Sequence, residues 1–75
     1  IVHVWEHSIG IVPNRGFPKG STIAIKINDR FCEMSVNEIK IEGNPTDVAL
    51  HGANCGIACG DTTILREKMR VFLVN

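Results

Sequence analysis

Tyrosine is absent from this chain, tryptophan occurs once, and aromatic residues make up only 5% of the sequence. That scarcity weighs against an extensive base-stacking platform. Neither charge sign is in excess, since eight Lys or Arg face eight Asp or Glu. A polybasic nucleic-acid tail is therefore excluded. No apolar run approaches the ~20 residues that a helix needs to cross a bilayer. The Gly-Lys-Ser/Thr ending of a phosphate loop and the three-glycine dinucleotide fingerprint are both missing. Ile1-Val2 would suit the new terminus of an activated trypsin-like chain, but no Gly-Asp-Ser-Gly accompanies it. The opening at Ile1 carries no charged leader, and the expectation is a processed chain or an excised segment of a longer protein.

What is present is a 75-residue chain, 44% hydrophobic. That is enough apolar material for one compact core, and the chain reads as a single small domain over 1–75. A domain of this size buries only about 60% of the surface its unfolded chain exposes. A disulfide, a metal or a partner subunit would therefore add useful stability. Three cysteines, Cys32, Cys55 and Cys59, allow at most one internal disulfide and leave one thiol over. This odd count favours a reduced, cytosolic setting over a secreted one.

Along the chain, the residues predict a strand over Ile1 to Glu6, covered on both faces with Trp5 in the core, then an interruption at His7-Ser8. Residues 13–20, with Pro13, Gly16, Pro18 and Gly20, read as a loop. Ile23, Ile25 and Ile27 share one face of the clearest strand, Ser21 to Ile27. Asn28-Asp29 then turns the chain into a returning arm from Arg30 to Met34. A further strand is expected to end at Glu42-Gly43. Asn44 has the features of a helix cap, Pro45 fits the first helical position, and Asp47 suits the positive end of a helix dipole. These predict one helix over about 45–55, despite the cost of Gly52 in its interior. Thr62 to Arg66 reads as a strand or, over Thr63 to Lys68, as a short helix. Val71 to Val74 reads as the centre of the sheet. The expected fold class is α+β, a mainly antiparallel sheet with one helix packed on it.

Several groups could carry chemistry. On a helix, His51, Cys55 and Cys59 would share one stripe, and Cys32 could join them from the sheet as a Cys3His zinc set or as a disulfide partner. Buried hydrophobic cysteines are the simpler expectation, and zinc is the one cofactor this pattern would admit. Asp47, His51 and Cys55 at intervals of four make a formal nucleophile triad, but nothing supplies oxyanion donors. A thioredoxin-like pair is excluded by the three-residue gap between Cys55 and Cys59. Gly60, Asp61, Thr62 and Thr63 make a candidate anion nest of successive backbone donors. Residues 15–30 carry Arg15, Lys19, Lys26 and Arg30 against Asp29, a local charge of +3, and residues 66–70 carry +2. With Phe17, the first segment offers an RNA or single-strand contact. Residues 42–61 hold three acids and no Lys or Arg, which weighs against that reading. The enzymatic signals are weak, and the chain reads as a non-enzyme. The favoured function is a protein-interaction or assembly module. It would use a sheet edge and the 13–20 loop, with Asn14, Arg15, Phe17 and Lys19 as contacts, and bind a second copy or a partner chain.

Overall fold

The period-two pattern of Ile23, Ile25 and Ile27 sets the best-defined hairpin of the fold. β4 (Thr22–Ile27) and β5 (Arg30–Ser35) pair antiparallel through the two-residue turn at Asn28-Asp29. Asn28 takes the left-handed conformation, φ 55°, which asparagine tolerates better than most residues. This hairpin follows the sequence pattern, with Ile25 opposite Cys32 and Lys26 opposite Phe31. A computed structural model describes residues 1–74, and every regular element in them is a strand.

The remaining strands are β1 (His3–Trp5), β2 (Ser8–Ile11), β3 (Phe17–Pro18), β6 (Glu38–Ile41), β7 (Asn44–Thr46), β8 (Val48–Ala49), β9 (Cys55–Ala58) and β10 (Val71–Leu73). They form a five-stranded sheet, β1-β2-β9-β6-β7, a three-stranded sheet, β10-β4-β5, and a two-stranded ribbon, β3-β8. All pairings are antiparallel. The two larger sheets meet where the chain turns a corner after β5. The Val36 amide bonds back to Ser21, beside β4, and the next amide, Asn37, bonds to Ala58 at the end of β9. Such strand switches make the corners of packed sheets.

The predicted helix does not form, and the fold is all-β. Two features overrule the helix signals. Glu42 and Gly43 both have positive φ, 54° and 80°, the signature of a type I′ hairpin turn. That turn sends Asn44-Pro45-Thr46 back along β6 as β7, with Pro45 opposite Lys40. Proline is tolerated there because β7 is the outer strand of its sheet. Further on, Cys55, Ile57 and Cys59 are buried while Gly56 and Ala58 are less so. That is a period of two, and it makes β9 a central strand between β2 and β6. A helix over 45–55 would have removed β7 and β8 and taken buried Ala49 and Cys55 out of their sheet pairings.

Three further expectations are corrected. Phe17-Pro18 belongs to the β3-β8 ribbon rather than to a free loop, because Phe17 is buried opposite Ala49. Residues 62–68 form turns, with neither strand nor helix. β10 is an outer strand instead of a central one.

One core takes side chains from every sheet, with Ile9, Ile11, Ile23, Ile25, Ile39, Ile57 and Leu65 at its centre. In the five-stranded sheet, Val4, Ile9, Ile57 and Ile39 stand in one cross-strand row. The opposite face of that sheet is solvent-facing. Trp5 lies there, half-exposed, with its ring 4.3 Å from the His3 ring between centroids. A Cβ on Gly10 would come within 3.2 Å of the Trp5 ring. The absence of a side chain at Gly10 thus lets the indole lie across β2, outside the core.

Candidate functional site

A groove of about 760 Å³ lies beside β10. One wall is residues 11–15, the end of β2 and the start of the segment that leads to β3, and the other is residues 68–73. Ile23 and Phe17, both buried, contribute to its lining from the core, and Ile1 and Val2 lie at its margin.

The geometry of β10 leaves backbone groups facing this groove. Antiparallel pairing points alternate residues toward and away from the neighbouring strand. The carbonyl of Arg70 accepts from Lys26, and the amide of Val74 donates to Thr22. Arg70, Phe72 and Val74 therefore direct their backbone groups to β4. Those of Val71 and Leu73 point to the other edge, where no hydrogen bond is formed among the described residues. Side chains alternate too: Val71 and Leu73 pack half-buried against the core, while Phe72 and Val74 are exposed.

The groove is electrostatically one-sided. Arg15, Lys68 and Arg70 line it, and no carboxylate does. None of these three cations has an ion-pair partner among the described residues. The two basic segments of the sequence thus converge, although more than fifty positions separate Arg15 from Arg70.

The neighbouring outer face of the three-stranded sheet extends the basic surface. Lys26 stands there between Arg70 and Phe31, and Phe72 lies opposite Ala24. The small Ala24 side chain lets the two phenylalanines meet above it, with ring centroids 5.7 Å apart and planes at 72°. Glu33 shares this face, opposite Ala24.

The structure divides the residues singled out from sequence. Asn14 and Arg15 are exposed on the groove wall, whereas Phe17 is part of the core. Lys19 does not line the groove and lies 3.8 Å from the Asp47 carboxylate, a solvent-exposed pair worth little. The segment is stitched down by backbone bonds from Lys19 to Asp47 and from Gly52 to Pro13. Gly16 abuts this ribbon, because a Cβ there would lie 3.0 Å from the Ala49 carbonyl. Arg30 sits at the β4–β5 turn and lines a smaller hollow with Phe31, Cys32 and Ile64.

Cys32, Cys55 and Cys59 are free thiols. Cys55 and Cys59 face the core from β9 and the residue after it, while His51 is exposed in the turn at 51–52. Without a helix, His51 and the two thiols do not share a stripe. Among the described residues, no group of three or more His, Cys, Asp or Glu is placed to hold a metal ion. Burial pushes the Cys59 thiol above its ordinary pKa, and the nearby Cys32 adds to that rise.

At residues 60–63, the Thr63 amide and hydroxyl both donate to the Asp61 carboxylate. The hydroxyl donation first, and the amide second, hold Asp61 below the usual carboxylate range. The Thr62 hydroxyl donates to the Trp5 carbonyl at 2.7 Å. The Thr62 hydroxyl and both donors of Thr63 are thus engaged within the chain.

Sequence reasoning missed Lys68, Arg70, Phe72 and the open edge of β10 as one surface. One part was accessible from sequence. The Asn28-Asp29 hairpin register alone puts Phe31 beside Lys26 on the polar face. The rest depends on β10 being an outer strand, which its continuous run Val71-Phe72-Leu73-Val74 does not reveal. No family model matches the chain, and no curated protein or solved structure is significantly similar to it.

Proposed function

We propose that the protein is an interaction module that binds an extended segment of a partner chain by strand addition to β10. The carrying observation is the open edge of Val71 and Leu73 facing a groove with an apolar lining. Strand addition uses main-chain hydrogen bonds for affinity and pockets under alternate side chains for specificity. Both are available here: unpaired backbone groups on one wall, and Ile23, Phe17 and Ile11 in the lining. Asn14 and Arg15 line the opposite wall and support a contact role for that part of residues 13–20.

A single-stranded nucleic acid has weaker support. The Phe31 and Phe72 rings meet edge to face, so they do not offer two parallel stacking surfaces. Glu33 stands on the same face, and Lys19 does not line the groove.

The test is a randomised peptide library displayed on phage and panned against the whole chain. Selected peptides should slow hydrogen exchange at the Val71 and Leu73 amides. Leu73→Pro removes one groove-facing N–H from an outer strand, where proline is tolerated. This variant should keep a cooperative thermal transition yet lose peptide capture by about tenfold or more, the effect of about one or two hydrogen bonds. Equal capture by folded Leu73→Pro, or protection only at other sites, would overturn the reading.

A further inference from the structure

We infer that the segment taken up beside β10 is acidic, with carboxylates alternating with apolar residues. This rests on the strand-addition reading above and adds the chemistry of the partner. The argument is charge complementarity. The chain as a whole is neutral, yet the groove carries Arg15, Lys68 and Arg70 with no carboxylate in its lining. Lys26 continues the basic surface next to Arg70. All four are exposed, and none is neutralised by an ion pair among the described residues.

The alternation follows from strand geometry. A strand paired to β10 sends successive side chains to opposite faces. One set enters the groove toward its apolar lining of Ile11, Phe17 and Ile23, and the other stays at the rim with the cations. The first set must be apolar to favour burial, and the second gains by being anionic. A nucleic-acid strand would also meet the cations, but it has no regular row of amides and carbonyls to pair with Val71 and Leu73. A peptide does, and the peptide is therefore the occupant.

The experiment uses three short labelled peptides in which valine alternates with glutamate, with serine or with lysine. Labelled oligothymidylate is the fourth probe, and binding to the whole chain is read by fluorescence anisotropy at low and high salt. The glutamate peptide should bind about tenfold or more tightly than the serine peptide and weaken as salt rises. The double variant Arg15→Glu with Arg70→Glu changes only exposed side chains. It should remove this preference and leave the serine peptide unaffected.

Equal binding of the glutamate and serine peptides, or tighter binding of the lysine peptide, would overturn the acidic partner and leave strand addition standing. Binding that persists in folded Leu73→Pro would instead overturn strand addition. Binding of oligothymidylate with all three peptides inert would overturn both in favour of nucleic acid.

Discussion

Thr62 shows how one hydroxyl can hold a segment that lacks regular structure. Residues 62–68 have no strand of their own, and the Thr62 hydroxyl ties their start to the Trp5 carbonyl on β1. Thr62 is buried, so removing the hydroxyl takes from the Trp5 carbonyl a donor that the chain supplies. Thr62→Val should lower stability by about 1 kcal/mol, and Thr62→Ser by less, because it retains the donor. Denaturant titration of the three proteins checks this through their midpoints. Asp61 is different in kind, for its carboxylate is fully exposed and accepts only from its neighbour Thr63. It organises the local turn and leaves those donors engaged. The residue types Gly-Asp-Thr-Thr suggested a nest for an anion, but the carboxylate among them serves as the acceptor. Sequence composition showed the donors; it could not show that Asp61 accepts from Thr63 while the Thr62 hydroxyl reaches across to Trp5.

At the scale of elements, the turn at Glu42-Gly43 has the largest consequences. Asn44-Pro45-Thr46-Asp47 meets the local requirements of a helix start, and nothing within those four residues forbids one. The left-handed pair before them directs the chain back along β6. Glutamate is a poor occupant of that conformation, whereas asparagine visits it routinely. Glu42→Asn creates the favoured Asn-Gly type I′ pair. It should stabilise the fold by roughly 0.5–1 kcal/mol, while Gly43→Ala should cost about 1–2 kcal/mol. Thermal denaturation of both variants measures the opposite shifts. A helix beginning at Asn44 predicts no such dependence on Gly43, since that residue would precede the cap. The contrast with Asn28-Asp29 is instructive. There both flanking segments alternate clearly, so the turn and the register were legible together. Around Glu42-Gly43 the following segment is too short and too polar to declare itself as a strand.

For the molecule as a whole, the cysteines report on packing. Cys55 and Cys59 are buried, Cys32 is only half so, and all three are free. Native alkylation should therefore modify Cys32 first, and denaturation should release the other two. Intact-mass spectrometry over time reads this order. Early modification of Cys59 would contradict its burial and its raised pKa, both of which disfavour the reactive thiolate. The same whole-molecule view explains the candidate site. Its cations come from two segments distant in sequence, and its open edge exists only because no strand lies between β10 and the end of β2. By itself, the sequence determined the single small core, the β4–β5 hairpin with its register, and the local charge of its two basic stretches. These follow from side-chain periodicity and composition, which act over a few residues. Only the tertiary structure decided that 45–55 is not a helix, that β10 lies at an edge, and that Arg15 meets Lys68 and Arg70. The first depends on burying Ala49 and Cys55 in sheet pairings with distant strands, a long-range gain in apolar contact that outweighs the local preference for a helix, and the other two on which strands meet across the chain.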